Sequence, residues 1–456
     1  MKKENDLVLQ TFLNRYYFKP FKDPESNQFI ELFIKGSCPS KCAYCYLQRH
    51  LKELYPLEYE KNDLILTNLN SFLDFYIEQE FCCGLEIYSG RLFADDFGFE
   101  VLETIYQKFK DPFIIKPQYI IIPDDMQFLL NDEMVAKMEY YIDLFMNEIK
   151  IPFVISASVD GELMDQFRYG IRTEEFYDKV IKFCYKHDYG VHPMISAFGI
   201  KDWKENYTWW RQHYQELFYK RVMFLEVRDN NWNGDKIYEY LNFLNFTFNV
   251  ANQDMGYDKS ELVKLIFNYD DYKIKTACAI ANNGTEENPY TDRISCALQQ
   301  TLHIRLGDLA IIPCHRLGYP QFVSGYFIKD ENGKIYDIEE KNVSMFLACH
   351  NLYNRNLPKC HSCSCASLCM GPCFGSNYES TGDPFYTPDD LCYWFKAKTA
   401  FSLIKINKMG ILAFLKDNDT LLFNKLTQSF SMIEEIKEND HVLYDFMDQL
   451  SEDISC

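Results

Sequence analysis

The chain has 456 residues and a formal net charge of −20, with a pI near 4.9. This acidity argues against nucleic acid as the main partner, because binding to phosphate groups requires basic patches. The sequence has no run of about 18 apolar residues that would predict a membrane span, and it begins without the apolar region of a signal peptide. We therefore expect a cytoplasmic protein whose 17 cysteines stay reduced and bind metal rather than form disulfides.

Short apolar runs alternate with longer amphipathic stretches between residues 29 and 230, as they do in consecutive βα units. The predicted strands are residues 29–34, 85–88, 118–122, 153–159, 191–196 and 222–227. The predicted helices between them include residues 63–80, 98–110, 132–148 and 174–187. This alternation predicts an α/β fold.

Three cysteines directly after the first predicted strand, Cys38, Cys42 and Cys45, have the spacing C-x3-C-x2-C. Three thiolates on one tight loop can hold three irons of a [4Fe–4S] cluster and leave the fourth iron open, whereas most cluster motifs supply four cysteines. An open iron can bind a small molecule, as an open zinc position does in a catalytic site. A zinc loop is the alternative, but zinc-binding pairs normally have the spacing C-x2-C.

This motif resembles the signature of the radical S-adenosylmethionine (SAM) superfamily, in which an aromatic residue, here Tyr44, precedes the third cysteine. The resemblance implies a partial (β/α)6 barrel, related to the TIM barrel, in which the chemistry gathers at the carboxyl ends of the strands. It also implies that the amino and carboxylate groups of SAM chelate the open iron. One-electron reduction, from a donor such as flavodoxin or ferredoxin, would then cleave SAM to a 5′-deoxyadenosyl radical.

The end of the second predicted strand is where the family usually has Gly-Gly-Glu, which holds the SAM amino group. This chain has Ser89, Gly90 and Arg91 there, so the glutamate is missing. The Ser89 hydroxyl and a backbone carbonyl could accept hydrogen bonds from the ammonium group. Gly90 permits close approach of the backbone.

The segment after the fourth predicted strand resembles the family's Ser-x-Asp-Gly, followed by Asp-x-x-Arg. The resemblance implies that Ser158 faces the SAM ribose and that Asp160, the candidate catalytic residue, lies near the cavity. Arg168 could pair with a carboxylate. The alternative interpretation of this segment is a strand end with a turn.

A second group of cysteines lies towards the carboxyl end of the chain. Its members are Cys296, Cys314, Cys360, Cys363, Cys369, Cys373 and Cys392. The run from residue 360 to 373, with the spacing C-x2-C-x5-C-x3-C, resembles the SPASM extension of radical SAM enzymes. Residues 306–314 match the strand-turn-strand that precedes the second cysteine of that extension, although two more residues than usual separate Gly307 from Cys314.

The SPASM resemblance implies two auxiliary [4Fe–4S] clusters, and thus three clusters in all. The first would be held by Cys296, Cys314 and Cys373, and the second by Cys360, Cys363, Cys369 and Cys392. The first cluster then lacks a fourth ligand, for which Cys278 is the nearest upstream candidate; without it, that iron could bind a substrate group. Cys349 and Cys365 are possible substitute ligands. Taken alone, the run from 360 to 373 is also compatible with structural zinc.

The resemblance covers about residues 29–395 and divides the chain into five segments. They are an N-terminal extension (1–28), the barrel (29–230), a bridging segment (231–277), the SPASM domain (278–395) and a helical tail (396–456). Many peptide-modifying relatives have a leader-peptide recognition domain before the barrel, and 28 residues leave no room for one. We therefore expect a separate recognition protein or a recognition surface on the barrel.

The function implied by this resemblance is that of an oxidoreductase that modifies a ribosomally made peptide or a protein. The radical would remove hydrogen from the substrate, an auxiliary cluster would accept the remaining electron, and a thioether or carbon–carbon crosslink would form. One alternative is an anaerobic sulfatase-maturating enzyme, which makes formylglycine and needs a base such as Asp160. Another is an epimerase that uses a spare cysteine as hydrogen donor. An iron–sulfur electron carrier is the alternative from another class, although a carrier gains nothing from an open iron.

Overall fold

The structure is a computed structural model that describes residues 13, 17–26, 28–168, 173–229, 231–267, 301–350, 357–366, 368–369 and 373–453. The chain divides into two units, each described separately below. The first comprises Met1–Ser158, Phe167–Tyr189 and Ala297–Asn351, and the second comprises Val159–Gln166, Gly190–Cys296 and Leu352–Cys456. The five segments expected from the sequence stay predictions.

The described residues form ten β-strands. They are Phe29–Phe33 (β1), Gly84–Tyr88 (β2), Ile120–Asp124 (β3), Phe153–Ala157 (β4), Met194–Ile195 (β5), Leu225–Glu226 (β6), Thr301–Arg305 (β7), Ala310–Ile312 (β8), Gly325–Lys329 (β9) and Ile335–Glu340 (β10). The first six overlap the six predicted strands, although β5 and β6 are only two residues long.

The same part of the chain forms sixteen α-helices. They are Tyr46–Leu54 (α1), Asn62–Glu78 (α2), Phe97–Phe109 (α3), Asp132–Asp143 (α4), Glu174–His187 (α5), Trp203–Tyr214 (α6), Phe218–Arg221 (α7), Asp235–Asp254 (α8), Lys259–Phe267 (α9), Val343–His350 (α10), Phe374–Thr381 (α11), Asp389–Lys408 (α12), Ile411–Asn418 (α13), Thr420–Gln428 (α14), Ser431–Asn439 (α15) and His441–Glu452 (α16). Helices α2 to α5 occupy the four predicted helical stretches. None of the helices in the described ranges combines the length and the apolar character needed to cross a membrane.

Eight strands of the first unit form one sheet in the order β10-β9-β8-β7-β1-β2-β3-β4. The strands from β7 to β4 pair in parallel, and β8, β9 and β10 extend the sheet with antiparallel pairs. β1 therefore lies inside the sheet, between β2 and β7. Its last four residues are buried, as expected for a parallel strand that is covered on both faces.

The last two predicted strands do not join this sheet. β5 and β6 pair in parallel with each other in the second unit, and a further bridge joins Val191 to Val222. In the described part of the chain, the sheet that contains β1 to β4 continues on the side of β1, where β7 pairs with β1. The sequence pattern did not predict this neighbour. The α/β class is confirmed, while the barrel and the SPASM domain stay predictions.

Side chains near the helix ends explain where several helices begin. Asn131 Oδ1 accepts hydrogen bonds from two amides in the first turn of α4, and Thr173 accepts one from the amide of Phe176 in α5. These N-caps satisfy amides that lack partners within the helix. Helix α5 ends at His187, and the next residue, Asp188, has a left-handed backbone with a φ of 59°.

Aromatic rings form much of the core of the second unit around α12. The rings of Trp232 and Trp394 stack with their centroids 4.5 Å apart, and Lys398 Nζ lies 4.7 Å from the centroid of the Trp394 ring. Lys398 also pairs with the carboxylate of Glu226. Burial would raise the pKa of Glu226, but the charge of Lys398 and a hydrogen bond from Tyr240 hold that pKa below its ordinary value. This contact links β6 to α12.

Candidate functional site

The cysteine loop, which we define as the segment between β1 and α1, is held at its start by backbone hydrogen bonds. The amides of Gly36 and Ser37 donate to Glu60 Oε1 at 3.0 and 2.7 Å. The amide of Gly90, just after β2, donates to the carbonyl of Lys35 at 2.8 Å. A Cβ atom on Gly90 would lie 2.4 Å from the carbonyl oxygen of Ser37, so this approach requires glycine. The end of β2 therefore fixes the start of the loop.

The later part of the cysteine loop contacts residues 167–168. The amide of Ala43 donates to the carbonyl of Phe167 at 2.8 Å. The guanidinium carbon of Arg168 lies 5.6 Å from the centroid of the Tyr44 ring, which is within the range of a cation–π contact. Arg168 is 7% exposed. Two residues that the sequence singled out, Tyr44 and Arg168, are thus in contact.

The thiols of Cys38, Cys42 and Cys45 are each half-buried. Ser40 Oγ, between the first two, donates to Asp125 Oδ2 at 2.9 Å. Burial raises the pKa of Cys38 to about 11, with smaller contributions from the charges of Asp125 and Cys45. A bound metal would deprotonate a coordinating thiol outright. Three soft thiol donors on one loop fit a cluster that leaves one iron open.

A cavity of about 300 Å³ lies beside Cys38. Its polar lining consists of Lys35, Ser37, Cys38, Ser89, Arg91 and Asp95. The volume is at the lower end of the range for small-molecule sites, roughly 300–1,000 Å³. The residues after β2 and the cysteine loop therefore share one cavity.

A carboxylate that sequence reasoning missed lies in this cavity. The residue at the expected glutamate position, Arg91, pairs through Nε with Asp125 Oδ1 at 3.3 Å and donates to Gln127 Oε1 at 2.6 Å. Asp95, four residues later, lines the cavity instead, and its Oδ1 accepts from the amide of Phe97 at 3.0 Å. The sequence could have indicated Asp95 through its position in the connection between β2 and α3, at the same edge of the sheet as the cysteine loop. Asp95 is able to accept hydrogen bonds from an ammonium group.

The residues after β4 have well-defined backbone partners. Ser158 is half-buried, and its amide donates to the carbonyl of Asp124 at 2.7 Å. In the second unit, Asp160 is 1% exposed; its Oδ1 accepts from the amide of Met194 at 2.8 Å, and its carbonyl accepts from Trp210 Nε1 at 2.9 Å. These contacts tie Asp160 to β5 and α6.

The second unit contains a cavity of about 380 Å³ that is rich in cysteine. The cysteines that line it are Cys360, Cys363, Cys365, Cys369 and Cys392. Burial raises the pKa of Cys360 to about 12 and that of Cys392 to about 11, and neighbouring thiols add to both rises. The four ligands predicted for the second auxiliary cluster thus line one cavity, which Cys392 reaches from the first turn of α12.

The fifth cysteine of this cavity, Cys365, is 1% exposed. A hydrogen bond between the thiols of Cys365 and Cys369, together with burial, raises the pKa of Cys365 well above its ordinary value. Sequence reasoning gave Cys365 as a substitute ligand. Its thiol contacts that of Cys369, and its role as a ligand stays a prediction.

Two lysines also line the cysteine-rich cavity. Lys359 Nζ lies 2.5 Å from Asp389 Oδ1, and Lys396 Nζ lies 2.5 Å from Glu435 Oε1. Four thiolates and a cluster carry a net negative charge, which nearby ammonium groups stabilise. The donor set fits a bound [4Fe–4S] cluster, and two ammonium groups, each paired with a carboxylate that also lines the cavity, lie beside it.

The ligands predicted for the first auxiliary cluster are described only in part. Cys278 and Cys296 lie outside the described residues. Cys314, two residues after β8 in the first unit, and Cys373, immediately before α11 in the second, are both half-buried. Cys349, the other possible substitute ligand, is 1% exposed in α10. The ligand set of this cluster stays a prediction.

Comparison with solved structures finds similarity to the protein SuiB of Streptococcus suis. A crystal structure of SuiB bound to S-adenosylmethionine is 16% identical, with a TM-score of 0.47, over 80% of this chain and 75% of that chain. A crystal structure of SuiB bound to the precursor peptide SuiA is 14% identical, with a TM-score of 0.35 over the same shares. No protein-family model matches the sequence, and no curated protein matches it. Because both structures are distant, the function proposed below rests on the site residues.

Proposed function

We propose that this protein is a radical SAM enzyme that modifies a peptide. The observation that carries the proposal is the loop of three half-buried cysteines at the carboxyl end of β1, next to a cavity with charged side chains. Three thiols leave one iron of a [4Fe–4S] cluster free to bind a small molecule. The cavity offers both signs of charge, which a zwitterionic amino-acid group such as that of SAM requires.

In this proposal, Cys38, Cys42 and Cys45 hold the cluster, and the cavity beside them holds SAM. When bound, these groups supply the reductive cleavage of SAM and the radical that removes hydrogen from the substrate. Asp95 accepts from the SAM ammonium group, in place of the missing glutamate. Lys35 pairs with the SAM carboxylate; its Nζ already donates to an amide oxygen, but an ammonium group has three donors.

The other residues that the sequence singled out have supporting roles in the proposal. Ser89 accepts from the ammonium group, and Gly90 keeps the backbone close to the cysteine loop. Ser158 contacts the SAM ribose. Tyr44 and Arg168 stabilise each other through their cation–π contact, so that the loop segment before Cys45 stays in one conformation.

The cysteine-rich cavity of the second unit is proposed to hold an auxiliary [4Fe–4S] cluster. Its ligands are Cys360, Cys363, Cys369 and Cys392, and the flanking lysines tune its reduction potential. A further auxiliary cluster, bound by Cys296, Cys314, Cys373 and Cys278, completes the proposed set of three. Such clusters give the electron from an oxidised substrate a route to an external acceptor.

The substrate proposed is a ribosomally made peptide, and the product is an oxidative thioether or carbon–carbon crosslink. The net charge of −20 is complementary to a basic peptide. Formylglycine formation needs an available base, and the carboxylate predicted for that role, on Asp160, is 1% exposed and bonded to the amide of Met194. This observation favours crosslinking. The proposed partners are a separate leader-peptide recognition protein and a flavodoxin or ferredoxin as electron donor.

The decisive experiment is SAM cleavage by anaerobically reconstituted protein. Reduced protein should form 5′-deoxyadenosine without peptide, as measured by liquid chromatography and mass spectrometry. Cys42→Ala should abolish the product, because the cluster then has only two cysteine ligands. Cys82→Ala is the matched control, since Cys82 is equally half-buried but lies outside the motif. The mechanism is refuted if Cys42→Ala cleaves SAM as fast as the natural protein.

The class of modification is tested by treating short peptides, encoded next to the gene for this protein, with the reconstituted enzyme and SAM and by analysing the products. Loss of hydrogen from the peptide with a linkage that resists reducing agents supports crosslinking. A peptide of unchanged mass with one inverted residue would identify an epimerase instead. Formylglycine in a neighbouring sulfatase would replace the crosslinking assignment by the sulfatase-maturating one.

A further inference from the structure

Three titratable side chains, none of them a cysteine, meet in the first unit. Glu31 lies in the middle of β1 and is paired in register with His303 on β7, and His315 follows β8. Glu31 Oε1 lies 2.9 Å from His303 Nδ1, and Glu31 Oε2 lies 2.8 Å from His315 Nδ1. We refer to these three residues as the Glu–His cluster.

Glu31 and His303 of the Glu–His cluster are buried, and the internal hydrogen bonds of the cluster do not use all of its donor and acceptor atoms. The side chains of Glu31 and His303 are 3% and 4% exposed. His303 Nε2 is buried and has no hydrogen-bond partner. The neighbouring strand adds another carboxylate, because Glu86 on β2 is paired in register with Glu31. Burying so many ionisable groups is costly unless they are paired with one another or bind a metal.

The geometry of the Glu–His cluster matches that of a metal site. One ligand atom from each of the three residues lies within 4.8 Å of the other two. Ligands that bind one metal ion at about 2.1 Å lie about 3 Å apart when they are adjacent, and the nitrogen–oxygen distances here are 2.8 to 2.9 Å. Two imidazoles and one carboxylate, with other positions open, form the ligand set typical of non-haem Fe2+.

We propose that Glu31, His303 and His315 bind a divalent first-row metal ion, of the Fe2+ class, separate from the iron–sulfur clusters. Glu86, which is in register with Glu31 on the neighbouring strand, is a candidate for a fourth ligand. The side chain of His315 is 29% exposed, which gives an ion a way in.

A metal ion at this position would act on the cysteine loop through aromatic rings. His315 stacks on Tyr88 with the ring centroids 4.3 Å apart, and it also stacks on Tyr46 at 5.7 Å. The hydroxyl groups of the two tyrosines lie 2.8 Å apart. Because Tyr46 directly follows Cys45, a fixed His315 would restrict the position of the first turn of α1.

The test uses Mn2+ as probe, because this hard ion binds imidazole and carboxylate but has little affinity for thiols. Protein with reconstituted clusters is washed briefly with EDTA, and Mn2+ is added while the electron paramagnetic resonance signal of free Mn2+ is followed. We expect one bound Mn2+ per chain. Glu31→Gln and His315→Asn should each weaken binding tenfold or more. Mn2+ should also raise the melting temperature of the natural protein but not of these variants.

Circular dichroism shows whether each variant is folded, and His315→Asn is the milder change because its side chain is partly exposed. His213→Asn, on the exposed surface of α6, is the matched control and should bind Mn2+ like the natural protein. No bound Mn2+ at millimolar concentration, or equal binding by Glu31→Gln, would overturn the proposal. The measurement is made without SAM, so its result does not depend on the proposed enzyme activity.

Discussion

Gly90 and Ser37 touch through their backbones, with so little space between them that any side chain at position 90 would meet the carbonyl oxygen of Ser37 at 2.4 Å. Gly90→Ala should therefore displace the start of the cysteine loop. Overpacking of this kind costs roughly 1–3 kcal/mol, and we expect lower iron content together with a lower melting temperature. Ser89→Ala, which only removes a hydroxyl group, should leave the iron content unchanged. Full iron content in Gly90→Ala would show that the loop tolerates the shift.

Asp95→Asn should weaken SAM binding without loss of iron. The change removes a charge-assisted hydrogen bond, worth about 1.5–3 kcal/mol, while the asparagine oxygen can still accept from the amide of Phe97. Isothermal titration of SAM into the reconstituted protein measures the effect, expected to be tenfold to a hundredfold. The control is Asp96→Asn, because the exposed Asp96 pairs with Lys137 at 2.8 Å. If both variants bind SAM equally well, Asp95 does not hold the ammonium group.

The stability of the protein should fall as Asp124 ionises. Burial, with a smaller effect of Asp125, raises the pKa of Asp124 to about 7. A carboxyl group whose pKa is higher in the folded protein holds its proton more tightly there than in the unfolded chain. The resulting contribution of Asp124 to the free energy of unfolding is complete below about pH 4 and is lost as the pH rises through 7.

Asp124→Asn should remove this pH dependence, because the amide carries no charge and its oxygen can still accept from the amide of Met126. The melting temperature of the natural protein should fall by a few degrees more than that of the variant between pH 5 and pH 8. Asp178→Asn on the exposed face of α5 should behave like the natural protein. The prediction would be contradicted if the melting temperatures of Asp124→Asn and of the natural protein changed equally with pH.

Lys359→Gln should lower the reduction potential of the cluster proposed for the cysteine-rich cavity. Burial raises the pKa of both Cys360 and Cys392, and the charge of Lys359 opposes that rise. The same charge stabilises the more negative, reduced cluster, so its removal should shift the potential down by on the order of tens of millivolts. Redox titration followed by electron paramagnetic resonance measures the shift. Lys437→Gln, on the exposed surface of α15, should cause none.

Local patterns in the sequence predicted the elements well. The apolar run at residues 29–34 became β1, and the amphipathic stretch at 174–187 became α5 with the predicted bounds. Both elements could be predicted because the pattern that specifies them lies within a few neighbouring residues. In the strand this pattern is a run of residues that become buried, and in the helix it is the Thr173 cap followed by apolar residues on one face. Cysteine spacing singled out Cys360, Cys363, Cys369 and Cys392, and these four line one cavity; their role as cluster ligands stays a prediction.

Features that depend on distant residues were not predictable. The pairing of β7 with β1 follows from tertiary packing, and no local pattern in either strand specifies the partner. Glu31 and His303 meet although 272 residues separate them. Asp95 was missed for a different reason: the expected glutamate was sought immediately after β2, whereas the carboxylate in the cavity lies further along, two residues before α3 begins.

The central position of β1 in its sheet also has a consequence for biosynthesis. Its neighbour β7 ends at Arg305, whereas the loop with the three cysteines is complete by residue 45. At about 5–20 residues per second, a ribosome needs on the order of 15–50 s to reach β7 after it has made β1. During that time β1 has an unpaired edge, and the cysteine loop grows from a strand that is held on one side only. If the three cysteines hold the proposed cluster, iron is best delivered after translation has passed residue 305, so that insertion of the cluster follows closure of the sheet.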